Sequence, residues 1–255
     1  MKFTIPIYLT NRKDSDASVM IDMDYNGKLL SLIKLGLSNT NKELFDKLYN
    51  RNTVKQFVTS VSFPNAKFIN KHIILNREGK MVLCFSSYDE KLALNFYNAF
   101  AWLKIQSGKA KEKVGKPLLF GSEYIANIGT IHREIDTPIT SNKQVFKIVS
   151  PIIVRNKNNY YVSYVHAKNS EQYTQFLKRA LEYKLQDYPE ILQFMDTFDF
   201  KAINMKKVVR KEFNTYIEGT TGVIQLSGNP RLLNYLQESG LGIKTGSFNG
   251  MIVAI

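Results

Sequence analysis

Apolar and polar positions alternate over Lys2–Leu9, with Phe3, Ile5, Ile7 and Leu9 on one side, which predicts a half-buried strand. After the polar stretch Asn11–Ala17 the period changes. Leu29, Leu30, Ile33 and Leu37 are spaced as on one helical face and predict a helix from about Gly27 to Leu37. Ser38–Asn41 breaks it, and Leu44, Phe45 and Leu48 mark a second short helix ending near Asn50. Val54–Phe63 reads as a strand. Ala66–Leu75 and Lys80–Ser86 flank Asn76-Arg77-Glu78-Gly79 and predict a hairpin. Asp89–Ile105 carries Leu92, Phe96, Phe100 and Leu103 at helical spacing. Lys109–Lys116 is a basic connector, and Leu118–Ile135 reads as a long strand or a hairpin. The order strand, helices, strands, helix, strand suits a βαββαβ ferredoxin-like unit.

Thr137–Lys143 is polar with a proline and predicts a boundary, dividing the chain into domains of residues 1–138 and 144–255. The second half repeats the plan more loosely. Val145–Arg155, which contains Ser150-Pro151, reads as a strand with Asn158–Val165 as a candidate partner. Ser170–Leu185 is a helix whose inner stripe is Tyr173, Phe176, Leu177, Ala180 and Leu181. Phe198–Tyr216 is extended, and Ile217–Ser227 returns across Gly219-Thr220-Thr221-Gly222. Asn229 is a good N-cap and Pro230 a good first residue for a last helix, which Gly240 ends. The expected fold class is α+β, two tandem ferredoxin-like domains.

A glycine-rich loop, Gly240–Gly250, separates that helix from the final strand Met251–Ile255. Glycines let backbone N–H groups approach an anion, and Lys244 adds a charge, so Gly240, Gly242, Lys244, Gly246, Ser247 and Gly250 are candidate phosphate contacts. The loop is no Walker A loop, because no Gly-Lys-Ser/Thr closes it. It is no dinucleotide fingerprint, because it follows a helix and precedes a strand.

Lys and Arg outnumber Asp and Glu by 35 to 22 in 255 residues, a net charge of +13. That excess points to a polyanion, most simply nucleic acid. Lys206, Lys207, Arg210 and Lys211 are interleaved with aromatics up to Tyr216, as are the basic residues of Lys47–Phe57. Cations there can take phosphates while rings stack on unpaired bases.

Several chemistries are disfavoured. Asp22, Asp24, Asn26 and Gly27 imitate the start of a calcium loop, but Ile33 stands where a bidentate glutamate is needed. His72, His132 and His166 are isolated and Cys84 is alone, so no metal site or cofactor is expected. Residues 1–9 are too short and too strand-like for a signal peptide, and no run approaches roughly 18 apolar residues. A soluble cytoplasmic protein, monomer or homodimer, is expected.

The C-terminal stretch resembles the signature of the Cas six family of the RAMP superfamily, CRISPR-associated endoribonucleases that cut repeat RNA. Members carry G-x-G, several residues, then G-F-G before the last strand. Gly240-Leu241-Gly242 and Gly250-Met251 stand in those places, with Phe248 and Asn249 replacing the second Gly-Phe pair. Ser150–Arg155 is similar to the segment opening the family's second domain. Leu48-Tyr49-Asn50 and Lys55–Ser60 resemble the segment that holds its catalytic residues.

The resemblance implies two ferredoxin-like domains, binding of repeat RNA (pre-crRNA), and a metal-independent cut. The ribose 2′-OH attacks its own phosphodiester and the 5′-oxygen leaves, giving a 2′,3′-cyclic phosphate and a 5′-OH. It implies catalytic roles for Tyr49, where the family has a histidine, for Lys34, where it has a tyrosine, and for Lys55, which matches its lysine. Lys28 and Arg51 join the RNA-binding set. Lys34 and Lys28, if close, would lower the Tyr49 pKa from about 10. An alternative is a non-catalytic subunit that holds crRNA among other Cas effector subunits. A basic scaffold for acidic proteins is a third reading.

Overall fold

The computed structural model describes residues 1–50, 53–166 and 170–255. The first half runs β1 (Lys2–Asn11), β2 (Met20–Asp22), α1 (Asn26–Thr40), α2 (Lys42–Tyr49), β3 (Val58–Ser62), β4 (Lys67–Ile69), β5 (His72–Ile74), β6 (Lys80–Ser86), α3 (Glu90–Lys111), β7 (Leu119–Phe120), β8 (Tyr124–Ile128) and β9 (His132–Glu134). The second runs β10 (Lys143–Ile148), α4 (Ser170–Lys184), α5 (Pro189–Leu192), β11 (Asp199–Glu212), β12 (Thr215–Ser227), α6 (Pro230–Ser239) and β13 (Ile252–Ala254). Among the described residues no helix is long and apolar enough to cross a membrane.

Each half builds its principal antiparallel sheet on the same plan. The first has the order β3-β6-β1-β8-β7, with β9 also on β1; the second has β11-β12-β10-β13. In both, the first and third principal strands lie side by side at the centre, and the helical crossovers reach the outer strands. This is the split βαβ arrangement of a ferredoxin-like unit. Strand β1 alternates strictly between buried and partly exposed positions. Opposite it in β6, Leu83 faces Ile5 and Phe85 faces Phe3. Phe85 is the hub of the first core, 4.9 Å from Phe3, 5.3 Å from Phe57 and 4.5 Å from Phe96 between ring centroids. Buried side chains of this kind each contribute about 1.5–3 kcal/mol.

Three pairings differ from the sequence reading. The stretch 66–75 does not pair with Lys80–Ser86; β4 and β5 form their own hairpin, extended by β2 into a small third sheet. Strand β6 pairs β1 and β3 instead, because its apolar side belongs to the main core. Strand β10 stops at Ile148, and Ile152, Ile153 and Arg155 make only isolated bridges. The third difference is the β11–β12 turn. Gly219–Gly222 lies inside β12, and the chain reverses at Phe213 and Asn214.

The end of the chain ties the halves together. Phe248 is buried and belongs to the first core, although its loop follows α6 of the second half. The Thr245 hydroxyl donates to the Phe57 carbonyl at 2.7 Å, and the Phe248 N–H donates to Thr59 Oγ1 at 3.1 Å. The glycine loop thus lies against the residues around β3.

Candidate nucleic-acid interface

Three of the sequence-selected residues converge. Helix α2 ends at Tyr49, whose ring packs 5.6 Å from Phe45. Lys34, on α1, places its ammonium 4.8 Å from the Tyr49 ring centroid, and Lys55, just before β3, places its own at 5.1 Å. Both lie within cation–π range. The Tyr49 hydroxyl is buried and has no hydrogen-bond partner among the described residues.

The electrostatics correct one expectation. Burial drives the Tyr49 phenol upward, away from ionisation, despite the two ammonium groups. Desolvation of a phenolate costs more here than two cations over the ring recover, so Tyr49 stays a neutral phenol at neutral pH and is no base. Lys28 takes no part: its ammonium is 3.8 Å from Asp22 and 4.0 Å from Glu123. Burial, reinforced by the charge of Lys34, brings Lys55 down to about 8. Lys55 is therefore mostly protonated at neutral pH, yet able to exchange its proton there.

The glycine loop closes the site from the other side. A Cβ at Gly246 would fall 3.0 Å from the Lys55 side chain and from the Phe57 ring. At Gly242, with φ of +87°, it would fall 2.5 Å from the Ile153 carbonyl oxygen. The expectation of an anion cradle built from the loop glycines is not met. Gly240, Gly242, Gly246 and Gly250 are all buried. The N–H groups of Leu241, Ile243, Ser247 and Gly250 donate to carbonyls of Gly250, Ile153, Lys244 and Pro151. Close packing rather than ligand approach is what these glycines permit, Gly240 and Gly246 against Val58 and Phe57 of the first half, Gly242 and Gly250 against Ile153 and Leu241 of their own. Lys244 and Ser247 are the members of the candidate set that reach a partly exposed surface.

Between the loop and the Lys55 segment lies a cavity of about 400 Å³, with Thr53, Lys55, Tyr183, Lys184, Lys244 and Ser247 on its walls. Lys184 is a residue that sequence reading overlooked. It is fully buried, and its ammonium donates to the Ser239 carbonyl, to that of Gly240 at 3.2 Å and to Thr245 Oγ1 at 3.3 Å. Burial holds it down to about 7, while the C-terminal carbonyls of α6 supply a partner for its positive charge. The signal was present: Lys184 continues the inner stripe Leu177, Leu181 of α4, where a charge is out of place.

The basic hairpin divides. Lys206 and Lys211 are exposed on β11. Lys207 pairs with Glu218 at 3.0 Å. Arg210 is no free RNA contact: its guanidinium donates to Phe248 O at 3.0 Å, Asn249 Oδ1 at 3.3 Å, Tyr25 Oη at 3.0 Å and Asn26 Oδ1 at 3.3 Å. It also sits 3.9 Å from the buried carboxylate of Glu212, which Lys244 approaches to 3.8 Å. Arg51 lies outside the described residues. Among the described residues no three His, Cys, Asp or Glu side chains gather as metal ligands would.

Comparison with curated proteins finds no match. Comparison with solved structures finds full-length similarity to a RAMP protein binding different RNA substrates (18% identity, TM-score 0.76, 99% of each chain). A Cas6-related protein from Pyrococcus furiosus is similar over 100% of this chain and 99% of that one (17% identity, TM-score 0.76). The product complex of the Thermus thermophilus Cas6 protein TTHB231 is similar over 100% of both chains (14% identity, TM-score 0.65). At such identities these likenesses establish a shared fold. Residues 133–253 match the family model described as CRISPR associated protein Cas6, C-terminal. Residues 133–253 thus form a Cas6-type C-terminal domain, and the whole chain shares the fold of these RAMP and Cas6 proteins.

Proposed function

We propose that the protein binds CRISPR repeat RNA and cuts it by attack of a ribose 2′-OH on the adjacent phosphodiester, without a metal. The observation that carries this reading is the convergence of Lys34 and Lys55 on Tyr49 beside the loop cavity, in a chain whose residues 133–253 match the Cas6 C-terminal model. The RNA supplies its own nucleophile, so the protein has to align the phosphate, neutralise it and move protons. In this reading charged Lys55 stabilises the phosphorane, where negative charge exceeds that of the ground state. Lys55, its proton loosened by burial and by Lys34, also protonates the leaving 5′-oxygen, water takes the proton of the 2′-OH, and the ring of neutral Tyr49 holds both ammonium groups in place. Lys244, Ser247, Lys206 and Lys211 supply contacts to the RNA backbone. The RAMP neighbour that binds RNA substrates and the Cas6 product complex support the same reading. We read the halves as domains of 1–138 and 144–255. Ile139 packs in the second core, whereas Lys2 pairs with Glu134 and Asp136.

The test is single-turnover cleavage of the repeat transcript from the protein's own genome, with chelator present. Lys55→Ala should lower the rate by roughly 10²–10⁴ with affinity nearly unchanged. One 2′-deoxy sugar just upstream of the cut should abolish the reaction, and its survival there sinks the proposed nucleophile. The proton on Lys55 also sets a pH limb: activity should fall as pH rises through about 8. Lys34→Met removes a neighbouring cation that lowers this pKa, so it should carry the limb to higher pH; an unmoved limb would detach Lys55 from it.

One observation favours a second reading, a subunit that holds crRNA without cutting it. Tyr49 stands where a titratable histidine is usual in the family, and burial takes it further from useful base strength. Tyr49→His would then create or speed cleavage, since imidazole titrates near about 6.5.

A further inference from the structure

The tip of the basic hairpin carries a residue that the turn does not favour. Strands β11 and β12 are joined by Phe213 and Asn214 alone, at φ of 50° and 62°. A two-residue turn with both central φ values positive favours Asn-Gly or Asp-Gly. Asn214 suits it, but a bulky ring at Phe213 is a steric outlier. Asp24, just before α1, holds the turn in place by accepting the N–H of Phe213 at 3.0 Å and that of Asn214 at 2.9 Å. No core rewards the strain, since the Phe213 side is 47% exposed.

The ring instead forms a wall of an open cavity of about 490 Å³, shared with Gly27, Lys28, Ser31 and Leu119. A Cβ at Gly27 would meet the ring at an ordinary 3.7 Å, so packing does not demand glycine in this first turn of α1. Its absence leaves the ring edge open to the cavity. Lys28 is held only loosely by Asp22 and Glu123, at 3.8 and 4.0 Å, which leaves its ammonium able to meet a phosphate. On the other side, Lys244 lies 5.9 Å from the ring centroid and also lines the cavity that holds Lys55.

We propose that Phe213 is the stacking platform for one unpaired nucleobase of the bound RNA, with Lys28 on an adjoining phosphate. Through Lys244 this subsite adjoins the Lys55 cavity, so it holds a nucleotide near the one whose phosphate meets Lys55. The inference rests on the RNA-binding reading above and adds to it the place and chemistry of one nucleotide. Stacking accepts any base, whereas a base inside a duplex has no free face, so the nucleotide here is single-stranded.

The probe is the cognate repeat oligoribonucleotide carrying 2-aminopurine at one position at a time around the cut. Parent protein, Phe213→Gly, Phe213→Leu and Phe213→Trp are compared for fluorescence quenching, affinity and Tm. The parent should quench one position strongly. Gly and Leu should lose that quenching and bind roughly five- to a hundred-fold more weakly, the range carried by one base–aromatic stack. Trp should retain both. Because glycine accepts positive φ, Phe213→Gly should match or exceed the parent Tm, opposite in direction to its effect on binding. Equal binding by parent, Gly and Leu overturns the subsite while leaving RNA binding intact. So does a Gly variant of lowered Tm when Leu restores both Tm and binding, which would make the ring a packing group. A parent that binds no RNA removes the underlying reading and this inference together.

Discussion

The glycine loop and the β11–β12 hairpin invite the same reading from sequence, that of a basic strip laid along RNA, and they are built in opposite ways, one buried and the other exposed. In the loop the four glycines and Phe248 are buried, and the N–H groups of Leu241, Ile243, Ser247 and Gly250 donate to carbonyls of the protein. In the hairpin, Lys206, Lys211, Phe213 and Tyr216 face solvent. Arg210 belongs by sequence to the hairpin but by contact to the loop, bonding Phe248 and Asn249. The difference teaches that small size and positive charge report two separate things. Glycine marks close approach, whether of a ligand or of the protein's own backbone, and only burial distinguishes these. A cation marks a negative partner, whether RNA or a buried carboxylate such as Glu212.

The comparison breaks most visibly at Gly242. Gly242→Val combines a disfavoured φ with a Cβ 2.5 Å from the Ile153 carbonyl, so it should cost about 3 kcal/mol or more and lower Tm markedly. A variant that melts with the parent would show that the loop is not packed tightly against the Ile152–Ile153 segment. Arg210→Ala should come next, at about 2–4 kcal/mol. It strips hydrogen bonds from four acceptors and takes one cation from a buried carboxylate. Its RNA affinity per folded molecule should stay close to the parent's, and a large loss without a stability change would return Arg210 to the RNA-binding set. The double change of Lys206 and Lys211 to alanine should do the reverse. Stability should move by no more than about 0.5 kcal/mol, while RNA binding weakens and the salt slope falls by about 0.7 for each lost single-strand phosphate contact. An unchanged slope in a salt titration would count against both lysines.

The periodic parts of the fold were legible because periodicity is local. Strand β1 and helices α3, α4 and α6 are read from the residues that form their own buried faces, and both sheets follow from element order. The meeting of Tyr49, Lys34 and Lys55 was legible only through likeness to a family, since nothing in their spacing makes an end of α2 face α1. Sequence alone also places the positive excess, the glycine loop and its neighbouring helix. Tertiary structure decided the rest. It set the phenol of Tyr49 upward where neighbouring cations suggested the opposite, because the desolvation of a buried group depends on every element packed around it. It turned Arg210 inward and placed Lys184 beneath the loop, because their acceptors lie far away along the chain. It put the hairpin turn at Phe213 and Asn214 rather than at the glycines, because the carboxylate that holds that turn is Asp24, contributed by the other half of the molecule.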